Sequence, residues 1–396
     1  MTDWIDKLLG ESQEHEPPPV ELHALRPEDL LVDLRTPSEF DQGHIPGARS
    51  LPIFTDEERA RIGTTYKQIG ADEARDLGVE LIRPRLDELV STLNAWFSPT
   101  GADTPIAPAS PLELSAITSK PTRIRLVLHC WRGGMRSRLF GGFCRSRGLP
   151  AFQLVGGYKA HRTWSLRILE DHLPGLVSLH GHTGSGKTVL IKRLAKQRPV
   201  IDLEGLANHR GSAFGHVGLG PQPSQRQFES KLAAEITRIH RQPVLIEGES
   251  ANIGRIRIPS PFLEAMQLCP RLVLVMPRET RTQILMEEYA QAIAQEPDRL
   301  ENALIYLKGR RSHQLAKNLQ SALDAKDWNH LCDLLLEEHY DPLYERHLKR
   351  HNHDPRTLRI EAKTLDEAEE KILEVLERHH PLDSRSAPPD GFSEAL

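Results

Sequence analysis

Gly181-His182-Thr183-Gly184-Ser185-Gly186-Lys187-Thr188 fits G-x-x-x-x-G-K-[ST] at every fixed position. This pattern works only between a strand and a helix. Its glycines let the backbone curl around phosphate oxygens, Lys187 brings a point charge, and Thr188 can ligand Mg²⁺. The flanks agree: Leu176-Val177-Ser178-Leu179 is a short apolar run, and 187–197 has helical spacing. Further apolar runs at 199–203, 244–247 and 272–276 alternate with helical patterns at 225–240 and 279–294. That alternation predicts an α/β fold with a parallel sheet. The loop itself calls for a diphosphate or polyphosphate, of which ATP is the commonest.

The binding set read from this segment is Gly181, Gly184, Ser185, Gly186, Lys187 and Thr188. An acidic partner for a metal belongs at the end of a neighbouring strand. Asp202, after Pro199-Val200-Ile201, and Glu249 or Glu247, after Val244-Leu245-Ile246, fit that place, with helix capping or pairing to arginine as the alternative role. Glu204 to Ser212 has too little apolar content for a core element and reads as an ordered loop beside the phosphate site.

At 396 residues the chain is too long for one ordinary domain. It has no apolar stretch near the ~20 residues a membrane span needs. The acidic first twenty residues do not form a signal peptide. Four cysteines without a C-x-x-C pair argue against a disulfide scaffold and a zinc site. The expectation is a cytoplasmic, multidomain protein. After residue 300 the chain reads as helical to about 380, with Thr364-Leu365-Asp366-Glu367 as a capping box before a helix over 366–378. Residues 381–396 read as a disordered tail.

Before the phosphate loop lies a second unit. Leu30-Leu31-Val32-Asp33-Leu34 suits a buried strand, 56–97 is helical, and 98–122 is a Pro/Ser/Thr/Ala-rich insertion. A strand over 124–129 then empties into Cys130-Trp131-Arg132-Gly133-Gly134-Met135-Arg136-Ser137, with a helix over 137–147 and a strand over 152–155 following. Five residues between Cys130 and Arg136 can curl so that backbone N–H groups share one centre. Gly133 and Gly134 allow the curvature. A cysteine there lies under guanidinium and helix-terminus fields that favour its thiolate, which makes Cys130 the candidate nucleophile with Arg132 and Arg136 beside it. Cys144, Cys269 and Cys332 lack such a setting and read as core packing.

Charge points to the same place. The net charge of −4 averages an acidic start, with eleven acids and four bases in residues 1–50, against residues 114–169, which hold eleven Lys and Arg and no acid. Such a block is either an anion or nucleic-acid footprint or a solvated basic face.

Asp33-Leu34-Arg35, Gly43-His44-Ile45-Pro46-Gly47-Ala48, the Cys130 loop and Gly156-Gly157-Tyr158 resemble a rhodanese domain over about 20–168. The resemblance implies sulfur or selenium carried on the loop cysteine. The loop spans seven residues from Cys130 through Arg136, where sulfurtransferases of the family use six. Seven resembles the Cys-x5-Arg loop of related phosphatases, so phosphatase and chalcogen-phosphate chemistry both stay open.

A rhodanese unit followed by a phosphate-loop domain (172–300) and a helical extension (301–380) is an uncommon order. Five motifs complete the pattern: Arg61 to Gln68, the Cys130 loop, Gly156 to Ala160, Asp202 to Gly211, and Glu249 to Gly254. Over about 20–370 the chain resembles the bacterial tRNA 2-selenouridine synthases. That resemblance implies a two-stage conversion of wobble 2-thiouridine in tRNA. Geranyl diphosphate alkylates the sulfur, then selenophosphate supplies selenium and the S-geranyl group leaves. Cys130 would be the S-selanyl carrier, Arg132 and Arg136 would hold selenophosphate, and Lys187 with its loop a diphosphate. The basic block, with Lys308, Arg310, Arg311 and Lys317, would face tRNA. A rhodanese-type sulfurtransferase or Cys-x5-Arg phosphatase fused to an ATP-binding domain, and a non-catalytic ATP-dependent RNA-binding module, are the competing readings.

Overall fold

The computed structural model describes residues 15–97, 124–211, 215–216, 218–295, 313–349 and 354–384. The 98–122 insertion, Ser212, Lys308, Arg310, Arg311 and the tail from 385 lie outside the described residues. Two units divide between Leu166 and Arg167.

In the first unit β1 (Pro19–Val20), β2 (Leu30–Asp33), β3 (Arg49–Ser50), β4 (Leu126–His129) and β5 (Ala151–Leu154) form one sheet in the order β1-β5-β4-β2-β3. Every pairing is parallel, with Val32 beside Leu128 and Leu128 beside Gln153. All four residues of β4 are buried, which is why it reads as an unbroken apolar run rather than an alternation. Its helices are α1 (Pro37–Asp41), α2 (Asp56–Gln68), α3 (Ala71–Ile82), α4 (Leu86–Phe97), α5 (Met135–Ser146) and α6 (Gly157–Asp171). The helical stretch expected over 56–97 is three helices, interrupted at Gly70 and at a 3-10 turn over Arg83–Arg85 that contains Pro84. Val32, Leu34, Leu93, Leu126, Leu128 and Cys144 are fully buried in one core.

In the second unit β6 (Leu176–Gly181) leads into the phosphate loop and α7 (Lys187–Leu194). There follow β7 (Val200–Ile201), α8 (Leu203–Ala207), α9 (Gln225–Thr237), β8 (Arg241–Gln242), β9 (Val244–Glu247) and the β10 (Asn252–Ile253)–β11 (Ile256–Arg257) hairpin. Next come α10 (Ser260–Leu268), β12 (Arg271–Val275), α11 (Arg278–Gln295), α12 (His313–Asp324), α13 (Trp328–Leu335) and α14 (Asp341–Lys349). The chain closes with β13 (Thr357–Glu361), α15 (Leu365–His379) and β14 (Asp383–Ser384). The sheet order is β13-β12-β6-β9-β7, again wholly parallel.

Four expectations change here. The C-terminal region is helical over α12 to α14, but β13 interrupts it and pairs with β12, Leu274 opposite Ile360. Only Ile360 of β13 is fully buried, so this edge strand carries a weak apolar signal beside the long α15. Ala368, Ile372 and Leu376 of α15 pack in one core with Leu190, Ile191 and Leu194 of α7, which makes residues 354–379 part of the phosphate-loop unit. Thr364 caps α15, but Glu367 returns its bond to the Lys363 N–H instead of closing a box. Residues 381–384, expected in the tail, include a strand, where Asp383–Ser384 pair antiparallel with Arg241–Gln242. Residues 204–207, expected as loop, belong to α8, with Leu203 and Ala207 fully buried.

Candidate functional site

In both units the central strand ends at chemistry, the place where parallel α/β sheets put their ligands. β4 delivers Cys130, whose thiol is 3% exposed. The Gly134 N–H donates to its sulfur at 3.4 Å, and Ser137 Oγ lies 3.4 Å away. Burial alone would raise the Cys130 pKa. The Arg136 charge, Ser137 and the Gly134 N–H outweigh it, so the thiol is held below its ordinary value. Burial pushes Cys144 up to about 12 and Cys332 up to about 11, and it raises Cys269, so none of these shares the character of Cys130.

The loop is clamped from behind. Gly157 has φ 56°, and a Cβ there would overlap the Cys130 carbonyl and the Gly133 nitrogen. Tyr158 and Lys159 donate their N–H groups to the Cys130 and Trp131 carbonyls at 2.9 and 2.8 Å. Gln153 of β5 spans the loop, its Nε2 donating to Gly133 O at 2.7 Å, Gly134 O at 3.1 Å and Ser137 Oγ at 3.0 Å. With the loop carbonyls turned toward Gln153 and α6, the N–H groups of Arg132, Gly133, Met135 and Arg136 have no acceptor among the described residues. Arg136 is partly buried and pairs with Glu39 at 3.2 Å. Arg132 is exposed and makes no ion pair among the described residues.

Beneath the loop, Arg35 is 1% exposed and holds Asp33 at 2.6 Å and Gly43 O at 2.7 Å, with its guanidinium 3.9 Å from the Tyr158 ring centre. This ties together the two short motifs near the N-terminus and the Gly156-Gly157-Tyr158 turn. They are the loop's scaffold.

In the second unit Gly184 and Gly186 take φ of 78° and 72°, the left-handed turns the loop needs. Lys187 Nζ donates to Gly181 O at 2.9 Å, and Thr188 donates to Glu204. Ser185 is fully buried and its hydroxyl has no partner among the described residues. Asp202 spends an oxygen capping α8, on Gly205 N at 2.6 Å. Glu247 accepts from Leu203 N at 2.8 Å and is also structural.

Glu249, just past the end of β9, lies beside Lys187 and Glu204, and Glu204 comes from the stretch expected as loop. Burial and the Glu249 charge raise Glu204 to about 7. Burial raises Glu249, against the pull of Lys187 and a hydrogen bond with Glu204. Burial also raises Glu288, which pairs with Arg210 at 2.8 Å. The two carboxyls of Glu204 and Glu249 therefore lie side by side next to a lysine, each held above its ordinary value. Among the described residues no three His, Cys, Asp or Glu are grouped to hold a metal. Arg281, buried, clasps the Asp341 carboxylate at 2.8 and 2.7 Å and also bonds Thr183 O at 3.2 Å, so α11 and α14 lean on the loop crest. No local pattern marks that pair, because its partners lie far apart in sequence.

Comparison with known proteins agrees with this arrangement. Residues 175–372 match the model of the tRNA 2-selenouridine synthase AAA domain, and 19–79 match a rhodanese-like domain. The tRNA 2-selenouridine synthase of Shewanella oneidensis is 34% identical over 354 residues, 82% of this chain and 87% of that protein. The chain belongs to the tRNA 2-selenouridine synthase family. Those of Nitrosomonas europaea and Nitrosomonas eutropha are 36% and 37% identical, matching 65% and 69% of this chain. The matched region spans just under two thirds of each of those two proteins, 63% and 66%. The AAA-domain match runs through β13 into α15, in line with their place in the second core.

The basic block is less bare in this family member than its sequence suggests. Arg125 pairs with Asp29, Arg136 with Glu39, Arg138 with Glu16 and Arg147 with Asp87, all acids from outside the block. Arg132 and Lys159 are both exposed and lie on or against the Cys130 loop, without an ion pair among the described residues. No described helix is long and apolar enough to cross a membrane.

Proposed function

We propose that this chain converts wobble 2-thiouridine of tRNA to 2-selenouridine in two stages. In the first, geranyl diphosphate alkylates the sulfur: the S–C bond forms, the C–O bond breaks, and diphosphate leaves with the bonding pair. Gly181 to Thr188 holds that diphosphate, with Lys187 meeting its charge. Glu204, near neutrality in its ionisation, is placed to take the proton that the thioamide loses. Where the diphosphate carries Mg²⁺, Thr188 would supply a protein oxygen to it.

In the second stage Cys130 carries selenium as an S-selanyl group drawn from selenophosphate: water takes the phosphorus as phosphate, the P–Se pair stays on selenium, and a disulfide oxidant accepts two electrons as the S–Se bond forms. That selenium attacks C2 of the base, geranylthiolate departs, and a thiol reductant opens the Se–S bond. Arg132, Arg136 and the unspent loop N–H groups hold the selenophosphate anion. Lys159 meets the tRNA backbone, where charge gives affinity without sequence choice. The protein works in the cytoplasm in this reading, on 2-thiouridine-containing anticodons. One observation carries it: a low-pKa cysteine inside an anion-seeking loop, in a chain of this family.

The test is nucleoside mass spectrometry of 2-thiouridine tRNA incubated with the protein, geranyl diphosphate and selenophosphate. Cys130→Ser should accumulate S-geranyl nucleoside and make no selenouridine. Lys187→Ala should slow geranylation by about a hundredfold, the scale of losing one charge-stabilising donor. Selenouridine from Cys130→Ser, or unchanged geranylation in Lys187→Ala, overturns the corresponding assignment.

A further inference from the structure

Beside the Cys130 loop the first unit contains an apolar cavity of about 140 Å³ that the chemistry above leaves unused. Phe54, Ile62, Gly78, Leu139 and Phe140 line it, and Met135 and Arg136 bring the Cys130 loop to its wall. Of its lining residues only Arg75 and Arg136 are charged. Folded interiors keep few voids larger than a water, since each one costs packing. A pocket so poor in polar partners favours an apolar guest, and one of this size has room for about six carbons.

Two observations identify the guest. Arg136 lines the cavity and is also the charge that lowers the Cys130 pKa, so the cavity wall and the cysteine loop share that side chain. Met135, 48% exposed, also lines the cavity and so places its mouth at the surface, where the rest of a longer chain can lie. The room itself comes from a glycine in mid-helix: a Cβ on Gly78 would already be 3.5 Å from the Phe54 ring and 3.6 Å from Ile62. Glycine there weakens α3, and what it leaves is space.

We propose that this cavity seats the ten-carbon prenyl chain of the S-geranyl uridine while selenium is transferred at Cys130. The proposal rests on the two-stage reading and adds where the leaving group is held. A thiouridine without the chain would leave the cavity empty and bind the Cys130 loop poorly, which imposes alkylation before selenium transfer.

The experiment uses the full chain and an anticodon stem-loop RNA bearing S-geranyl-2-thiouridine, with the S-methyl RNA as reference, read by fluorescence anisotropy. The wild-type protein should prefer the S-geranyl RNA by about thirtyfold or more, the scale of a few methylenes leaving water. Gly78→Leu fills the cavity and should remove that preference, with S-methyl binding and geranylation of 2-thiouridine tRNA unchanged. Leu139→Ala enlarges the cavity and should raise relative affinity for an S-farnesyl RNA. The proposal fails if wild type shows no S-geranyl preference, as when a segment of the chain itself fills the space. It also fails if the preference survives in a folded Gly78→Leu protein, or if Leu139→Ala leaves the chain-length preference unmoved. A cavity-dependent S-geranyl preference in a protein that makes no geranylated nucleoside from geranyl diphosphate would keep the cavity and sink the two-stage reading instead.

Discussion

Cys130 ionises under opposed influences, and the balance is set by one side chain. Burial favours the neutral thiol, while Arg136, Ser137 and the Gly134 N–H favour the thiolate. Taking away Arg136 removes the largest of the lowering causes and leaves burial in place. Arg136→Ala should therefore move the midpoint of Cys130 alkylation by iodoacetamide to higher pH, slowing it at neutral pH. In the wild-type protein Cys130 should alkylate first, because burial lifts Cys144 to about 12 and Cys332 to about 11. A midpoint that does not move in Arg136→Ala would show that the loop amides alone set the thiolate. The cysteine and its arginines could be picked out in sequence because they occupy one short loop. Gln153 could not, since a glutamine in a strand has no pattern and gains its role only when β5 lies beside β4.

At the scale of elements, both loops are held by glycines whose reasons lie elsewhere in the chain. Gly157 opens α6 with left-handed φ, and its missing Cβ lets α6 donate to the Cys130 and Trp131 carbonyls. Gly157→Ala combines a left-handed alanine with a backbone overlap. It should cost roughly 2 kcal/mol or more of stability and shift Cys130 alkylation toward higher pH as the loop opens. Thermal unfolding and the alkylation profile together check this; an unaltered profile with lowered stability would separate the clamp from the reactivity. The phosphate loop was legible for the same reason as the cysteine loop, as a run of fixed positions between a strand and a helix. Its cover was not. Arg281 and Asp341 are sixty residues apart, and Glu204 joins Glu249 only because α8 folds Glu204 inward.

For the whole molecule, residues that look like an appendage in one dimension complete a core in three. The acid-free block is an example in charge, since Glu16, Asp29, Glu39 and Asp87 come from outside it to pair with its arginines. The C-terminal segment is an example in packing. β13 covers the edge of β12, and Ile360, Ile372 and Leu376 are buried among the side chains of α7 and the central strands. Three such side chains amount to roughly 5–9 kcal/mol of apolar burial at ~1.5–3 kcal/mol each, comparable to the ~5–15 kcal/mol that holds a whole domain together. A chain ended after residue 350 should therefore lose the cooperative unfolding of the second unit and the geranylation proposed for it. The first unit keeps its own core around Val32, Leu93 and Leu128 and should retain the Cys130 alkylation profile. Hydrogen exchange reads the two outcomes separately, through the amides of β6 and β12 on one side and β4 on the other. Full protection of β6 and β12 in the shortened chain would mean that the phosphate-loop sheet closes without β13, and that the helical extension, rather than the sheet, is where residues 354–379 belong.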